Sequence, residues 1–362
     1  MNIPDVLLDT SWSLQLVPGT RLRSTSLKAL VNCTEVHAAS SMQLRSLAQE
    51  CFDYLLSQGP AYRDELNDER EKTGQLRECV ISQLWPHPRS LGAATANSRS
   101  LGVLIESRYQ KTTYQTVLLG NPPKQSDADA CPVSLILSKA AASHIRHIVS
   151  WLDLKFDLPA PMQLRLPSGL ILHACSKYLH SLSGPKIAEP HQEDALRQAT
   201  LSQVIGNLKL TFTITNTTET DVASMLRTME FDIPSQTVDV LLRKAQQTQS
   251  SGLTVSTAFL DELATAVHER TGLRLPLSAN PSSHSARVEA TSALEPPVKV
   301  TRIACAAFAI SVDGRLKCAR KPIESAEVIG YQETMIRAAN WELLEAIRAE
   351  AENKGARQEE DG

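Results

Sequence analysis

The segment VKVTRIACAAFAISVDGRLKC, residues 298–318, constrains the fold more than any other part of the sequence. It has the composition of a strand, yet its centre is apolar at odd positions such as Ile303 and at even positions such as Phe308 and Ile310. If residues 298–312 formed one strand, it would span roughly 50 Å at about 3.3 Å per residue, which is longer than most strands. We therefore expect the segment either to bend or to extend beyond its own domain.

A strand that is apolar on both faces has two explanations. It is a central strand covered by the protein's own helices. Alternatively, the edge of this hairpin pairs with another chain, because main-chain hydrogen bonds then supply adhesion and the apolar side chains supply a buried seam. The residues by themselves leave both explanations open.

Hairpin signals and helical periodicities are mixed along the rest of the chain. The strands LGVLIESRY and TTYQTVLLG flank Gln110-Lys111, and Asp313-Gly314 is the strongest turn signal, predicting a type I′ turn with positive φ at both positions. NLKLTFTI predicts a strand that leads into a helix capped by Thr218 or Thr220. Further helices are predicted at 41–56, 138–151, 168–183, 234–246, 255–270 and from 324 onward. The fold class is therefore α+β, with a mainly antiparallel, curved sheet, flanking helices and a long C-terminal β-hairpin.

We expect four regions along the chain. These are an N-terminal α+β region at 1–130, a helical middle region at 131–206, a C-terminal sheet and dimerisation region at 207–324, and a C-terminal helix with an acidic tail at 325–362. Residues 59–78 are charged and predict an exposed helix or loop, and LRLPL predicts a short strand. Residues 278–297 are rich in Ser, Ala and Pro without a period, which predicts a flexible insertion.

The composition excludes several classes of protein. The 37 Lys and Arg residues nearly balance the 40 Asp and Glu residues, so the net charge of -3 favours neither a nucleic-acid nor an acidic function for the chain as a whole. The longest apolar run, 303–310, is too short to cross a bilayer, and the N-terminus lacks the pattern of a leader. Seven cysteines without a C-x-x-C pair indicate reduced thiols. We expect a soluble intracellular protein that does not enter a membrane.

Motifs of catalysis are missing from the sequence. It contains no phosphate-binding loop, dinucleotide-binding turn, H-E-x-x-H helix or zinc-spaced cysteine cluster. Cys175 lies two and five positions from His173 and His180, so neither histidine faces it on one helix. His144 and His147 lack a nearby third metal ligand. We expect no catalysis, cofactor, metal or small-molecule substrate; the rival hypothesis is a cysteine hydrolase that uses Cys175 or Cys131.

Local charge is more informative than net charge. Basic residues outnumber acidic ones at 139–186 and around the segment 298–321, which suits contacts with a phosphate backbone. An ordinary solvated surface is the alternative for any one of these residues. The candidate DNA contacts are Lys139, Arg146, Lys155, Arg165, Lys177, Arg302, Arg315 and Lys317.

Both ends of the chain resemble the centromere protein L family. LLDTSWSLQLVPGTRLRSTSLKAL resembles that family's N-terminus, in which a strand carrying W-[ST]-L precedes a proline turn and a leucine-rich segment. FLDELATAVHERTGLRLPLSA followed by VKVTRIACAAFAISVDGRLKC resembles its closing helix, short strand and long hairpin, and NLKLTFTITNTTETDVASML resembles the strand and helix before them. Gln15 stands where an aromatic residue is usual, and the middle of the chain matches poorly.

The resemblance implies a non-enzymatic subunit of the inner kinetochore that acts in chromosome segregation. The family's C-terminal sheet pairs with centromere protein N, and its complexes lie against centromeric chromatin. We therefore expect a nuclear protein at the centromere, with a centromere protein N relative, other inner-kinetochore subunits, and the backbone of nucleosomal DNA as partners. A homodimer through the same hairpin is the alternative. The predicted partner-interface residues are Val300, Ile303, Phe308, Ile310 and Leu316.

Overall fold

The protein is described here by a computed structural model. The described residues are 3–18, 27, 30–31, 41–58, 72–85, 100–121, 133–183, 201–214, 227–248, 255–273, 275, 298–320 and 329–360. They belong to two compact units, which we call the first and second units. The first contains residue 1 and residues 11–164 and 348–362, and the second contains residues 2–10 and 165–347. The predicted division into four regions stays a prediction.

In its described residues, the first unit contains an antiparallel sheet and two long helices. Its strands follow the order β2-β3-β4-β5-β1, and β6 pairs with β1. Every strand pair in it is antiparallel. The strands are β1 (Thr10–Leu16), β2 (Leu76–Leu84), β3 (Gly102–Tyr109), β4 (Thr113–Gly120), β5 (Val133–Lys139) and β6 (Met162–Gln163), and the helices are α1 (Ser41–Ser57) and α2 (Ala142–Phe156).

The core of the first unit lies between this sheet and its helices. Trp151 and Phe156 of α2 meet edge to face with ring centroids 5.9 Å apart. They share a buried cluster with Cys51 of α1 and with strand residues such as Ile105 and Ile136. The amphipathic spacing of the helices therefore places their apolar stripe on the sheet.

The hairpin predicted around Gln110-Lys111 is confirmed, although its turn lacks glycine. The turn is held from outside, because the backbone N–H of Gln110 donates to the carbonyl of Gln75 at 3.0 Å and that of Lys111 donates to the carbonyl of Thr73 at 2.9 Å. Strand β2, which begins at Leu76 directly after these two contact residues, was missed by the sequence prediction. Its exposed edge carries charged side chains, and this composition is also typical of a surface helix or loop.

The second unit contains an antiparallel sheet in the order β11-β10-β9-β7-β8. The pairs are all antiparallel, and a single parallel bridge joins Leu8 to Cys318. The strands are β7 (Leu208–Ile214), β8 (Arg227–Ile233), β9 (Val298–Ala304), β10 (Phe308–Ser311) and β11 (Arg315–Cys318), and the helices are α3 (Ser168–Ser183), α4 (Ser235–Thr248), α5 (Val255–Thr271) and α6 (Ile329–Glu360), of which residues 348–360 belong to the first unit.

The segment 298–312 bends into two strands, so a single long strand is the wrong description. The backbone N–H of Cys305 donates to the carbonyl of Phe308 at 2.8 Å and closes a tight reversal at Ala306 and Ala307. The reversal changes the parity of the strand. Odd position Ile303 before it and even positions Phe308 and Ile310 after it therefore share one face, and the apparent apolarity on both faces disappears.

The second hairpin of the segment is confirmed, but its turn type differs from the prediction. Ser311 pairs with Arg315, so the loop has three residues. The N–H of Gly314 donates to the carbonyl of Ser311 at 3.0 Å, and Gly314 has φ 67° whereas Asp313 does not have a positive φ. This is the geometry of a type I turn closed by a glycine bulge, which needs only one left-handed residue.

The remaining expectations have mixed outcomes. The helices predicted at 41–56, 168–183, 234–246 and 255–270 are confirmed, and Gly272 ends α5 with φ 70° as predicted. Helix α2 starts after Ala141, so the start signal at Ser138 was wrong, because β5 continues to Lys139. Positions 218 and 220 and the insertion at 278–297 lie outside the described residues; Leu273 and Leu275 are not in a strand. The predicted α+β class with a mainly antiparallel sheet is confirmed.

Gly102 at the start of β3 tests the packing of the first unit. Its φ is 154°, and an added Cβ would lie 1.9 Å from the carbonyl oxygen of Leu118 on β4. We expect Gly102→Ala to lower the free energy of unfolding by at least about 3 kcal/mol, because strained backbone and a steric clash add. The measurement is urea unfolding of the full chain.

The matched control is Gly169→Ala in α3, where an added Cβ would meet no described atom within 4 Å. We expect this variant to be neutral or to gain up to about 1 kcal/mol. Equal stability of both variants would contradict the close approach of β3 and β4.

Arg337 of α6 tests the attachment of the N-terminal residues in the second unit. It is 4% exposed, and its guanidinium donates to Asp5 Oδ1 at 2.6 Å, to Glu333 Oε1 at 2.8 Å and to the carbonyl of Ile3 at 3.3 Å. We expect Arg337→Met to cost about 2–4 kcal/mol of unfolding free energy, because the hydrogen bonds to both carboxylates and to the carbonyl of Ile3 are lost, although Asp5 keeps its contact with Arg320 at 3.6 Å. Arg243→Met, at an exposed position on α4, should change it by less than about 0.5 kcal/mol. Equal effects of the two variants in denaturant unfolding would disprove the attachment.

Candidate interaction surface

The five predicted partner-interface residues share one face of the second unit's sheet, which we call the inner face. Leu316 pairs with Ile310, Ile310 with Ile303, and Ile303 with Leu210, so one apolar row crosses four strands. Val300, Ile303, Phe308, Ile310 and Leu316 are each at most 4% exposed.

Helix α3 covers part of the inner face. The ring of Tyr178 lies 4.6 Å from the ring of Phe308, and Tyr178 is itself fully buried. These side chains are therefore core in the chain by itself, as expected for a strand covered by its own helices. A direct partner contact through them would require α3 to move away, and their role at an interface stays a prediction.

The opposite, outer face of this sheet is basic. Lys299 and Arg302 on β9 and Arg315 and Lys317 on β11 are exposed. Arg302 and Arg315 are the two cross-strand neighbours of Ser311 on β10, and Lys317 is a neighbour of Ala309. None of these four cations forms an ion pair within the described part of the chain. The structure thus brings three of the eight candidate DNA contacts, Arg302, Arg315 and Lys317, onto one face.

Strand β10 forms a floor of small side chains between the two basic strands. Ala309 and Ser311 are partly exposed on the outer face. The Ser311 Oγ atom is buried and has no hydrogen-bond partner among the described residues. A buried hydroxyl left unpaired costs free energy.

The far side of the outer face has the opposite charge. Lys209 on β7 is neutralised by Asp232 on β8, with Nζ 3.3 Å from Oδ1. Glu230 on β8 is exposed beside them. The excess positive charge is therefore confined to β9 and β11.

Strand β8 is the last strand on this side of the sheet. Among the described residues it pairs with β7 alone, so its other edge carries backbone groups without a strand partner there. Met229 is 40% exposed, and the guanidinium of Arg270 lies 5.9 Å from the ring centroid of Phe231. An edge with apolar side chains beside it is suited to pairing with a further strand.

The other five candidate DNA contacts are exposed and are divided between the two units. Lys139, Arg146 and Lys155 belong to the first unit, where Lys155 pairs with Glu50. Arg165 and Lys177 belong to the second unit and lie outside its sheet strands.

The thiol of Cys175, the candidate nucleophile that the structure describes, does not have the chemistry of a nucleophile. Burial, and to a smaller extent the nearby Cys305, raises the pKa of Cys175, and burial raises the pKa of Cys318 to about 12. A catalytic thiol requires the opposite shift, because the thiolate is the nucleophile. Cys131 lies outside the described residues.

The histidine pair also has an ordinary structural role. His144 Nδ1 lies 3.1 Å from the hydroxyl of Tyr109, and its ring stacks against that of Tyr114 at 4.8 Å. Burial, and less strongly His147, lowers the pKa of His144 to about 4. In the described ranges, His, Cys, Asp and Glu do not gather in groups of three that would hold a metal. No described helix is both long and apolar enough to span a bilayer.

Comparison with known proteins identifies the family. The family profile described as Centromere protein L matches residues 8–352, nearly the whole chain. No curated protein matches the chain. The match includes the segments that carried the resemblance, from the W-[ST]-L strand to the β9–β11 strands. The chain therefore belongs to the centromere protein L family, a family of structural kinetochore proteins.

Proposed function

We propose that the protein is a non-enzymatic scaffold of the inner kinetochore. In this proposal it pairs with a centromere protein N relative through its C-terminal sheet and helps to anchor the assembly on centromeric chromatin during chromosome segregation. Family membership supports a kinetochore subunit with inner-kinetochore partners and a nuclear, centromeric location.

The open edge of β8 carries the pairing proposal. Within the described residues β8 has a strand neighbour on one side only, and the half-exposed Met229 lies on that edge strand. A strand from the partner would satisfy the backbone groups of β8 and cover this side chain. Main-chain pairing would provide adhesion, and Met229 would provide the apolar contact.

The five buried residues of the inner face bear on the pairing proposal indirectly. They hold β9–β11 against α3, and β9 in turn pairs with β7, the only described neighbour of β8. Their substitution would weaken partner binding by distorting the sheet. We therefore propose that they act on the interface by positioning β8.

The chromatin contact is proposed for the exposed basic residues. Neutralising phosphates releases counterions, so binding through them would be sequence-tolerant and would fall steeply with salt. Because the acidic residues of β8 lie at the opposite side of the outer face, DNA and partner strand would occupy different parts of the sheet. The remaining exposed candidate DNA contacts would add to the positive electrostatic field that attracts the phosphates.

Two alternatives make different predictions. A homodimer would use the same edge, with a second copy as the strand donor. A cysteine hydrolase would need a thiol that reacts readily near neutral pH, and the raised pKa of Cys175 argues against that residue.

Met229→Asp tests the pairing proposal. We expect it to weaken binding of the co-purified centromere protein N relative at least tenfold, because a carboxylate would be buried against the added strand. The control is Val240→Asp on α4, where the side chain is also about half exposed, at 50% against 40% for Met229. The measurement is affinity purification of the tagged full chain with quantitative mass spectrometry, together with the melting temperature of each variant.

Each outcome of this experiment has a defined meaning. Loss of the partner with Met229→Asp alone, at unchanged melting temperature, supports pairing at β8. Equal recovery with both variants disproves it. Recovery of only a second copy of the chain would replace the heterodimer with the homodimer.

A further inference from the structure

Two cysteines in the core of the first unit lie against each other where helix α1 packs on strand β2. Cys51 on α1 is fully buried, Cys79 on β2 is 8% exposed, and both belong to the buried cluster that joins the helices to the sheet. Both are free thiols, and the thiol of Cys51 acts as a hydrogen-bond donor to Cys79. The fold therefore places two reduced sulfur atoms of different elements side by side.

We propose that Cys51 and Cys79 form a modification site for peroxide, at which oxidation converts the thiol pair to a disulfide that ties α1 to β2. In this reaction Cys79 attacks the oxidant and Cys51 resolves the product. The inference goes beyond the scaffold function and does not depend on it, because it concerns the first unit alone and requires no partner.

Cys79 has the surroundings of a reactive thiol. The hydrogen bond from Cys51 lowers the pKa of Cys79. Ser107, whose Oγ lies 3.8 Å from Cys79 Sγ, acts in the same direction, because its hydroxyl donates to the thiolate once that forms. Burial and the carboxylate of Glu78 oppose the shift, but Arg108 pairs with Glu78 at 2.9 Å. Cys79 is therefore more easily ionised than an ordinary cysteine.

Cys51 has the complementary properties. Its hydrogen bond to Cys79, followed by burial, raises its pKa, so it keeps its proton while Cys79 is ionised. A protonated neighbour is what the second step needs, because the group that leaves the oxidised sulfur must take up a proton. The two thiols are therefore suited to different steps of one reaction.

The position of β2 in the sheet gives the oxidant its route. This strand stands at the end of the strand order and, within the described residues, pairs with β3 alone. An edge strand opens locally at a lower free energy than the whole unit unfolds. Hydrogen peroxide is little larger than a water molecule, so it reaches Cys79, which is partly exposed, before it reaches Cys51, which is not.

The reaction is balanced by one molecule of peroxide. The thiolate of Cys79 attacks one peroxide oxygen, an S–O bond forms, the O–O bond breaks, and the hydroxide released takes up the proton that Cys79 lost. The sulfur of Cys51 then attacks the sulfenic sulfur, an S–S bond forms, and the S–O bond breaks. The leaving hydroxide takes the proton of Cys51 as water. Two thiols are oxidised by two electrons, and the peroxide is reduced to two water molecules.

The test exposes the folded full chain to hydrogen peroxide and maps the products by mass spectrometry of its peptides. We expect a disulfide between Cys51 and Cys79 that a dithiol reductant removes. We also expect the melting temperature to rise by about 3 °C or more on oxidation, because a cross-link between positions 51 and 79 restricts the unfolded chain.

Three variants of the full chain assign the roles of the two cysteines. Cys51→Ala should leave Cys79 as a sulfenic acid that a cyclic 1,3-diketone labels, whereas Cys79→Ala should abolish both the label and the disulfide. The matched control is Cys175→Ala, which removes a buried thiol of the second unit and should leave the disulfide yield unchanged. The melting temperature of each reduced variant confirms that it is folded, and the peptide map of the wild-type chain requires no variant.

The opposite results are equally defined. The proposal is overturned if Cys51 and Cys79 stay reduced at a peroxide concentration that oxidises free cysteine, or if Cys175 is oxidised as fast as Cys79. A disulfide that joins Cys79 to a different cysteine would also overturn it. An unchanged melting temperature after complete oxidation would show that the bond does not tie α1 to β2 in the folded chain.

Discussion

The chain reversal at Cys305 determines how the whole second unit is arranged. One hydrogen bond, from the N–H of Cys305 to the carbonyl of Phe308, closes a turn that needs only two small residues, Ala306 and Ala307. The turn shifts the alternation between β9 and β10, and a bulge opposite Thr211 and Phe212 shifts it within β9. Both strands therefore direct their large apolar side chains to one face and their polar ones to the other. Without the turn, a strand of the same residues would expose apolar side chains on both faces.

The reversal also connects the sheet to the chain's ends. The carbonyl of Ala307 accepts from the N–H of Ala319, whose own carbonyl accepts from the buried Asn340 of α6 at 3.3 Å. The same helix binds the N-terminal residues through Arg337. The C-terminal strands therefore have little freedom to present their apolar face elsewhere, which is why we propose the β8 edge, within the described residues, as the surface for a partner.

Local patterns predicted much of the fold and little of the site. The alternation in 208–214, the hairpin at Gly314 and the apolar spacing of α1 and α3 each depend on near neighbours, and these predictions were correct, although the type of the turn at Gly314 was not. A bend in 298–312 was one of the two expectations from its length, but its position at Cys305 was not predicted because alanines carry no turn signal of their own. Arg302, Arg315 and Lys317 were chosen from charge alone, whereas their meeting around Ser311 depends on the register of three strands. The change from odd to even apolar positions across residues 305–307 was the signal in the sequence that would have revealed the chain reversal and, with it, this meeting.

Hydrogen–deuterium exchange tests the central claim most directly, namely that the apolar face of β9–β11 is internal core and that a partner meets the chain at the edge of β8. The full chain would be compared alone and in complex with the proposed partner, a centromere protein N relative. The account predicts that amides of β8 exchange at least about tenfold more slowly in the complex, while those of β10 and α3 are unchanged. Altered exchange in β10 and α3 with β8 unaffected would mean that the inner face is uncovered for the partner, and would contradict the account.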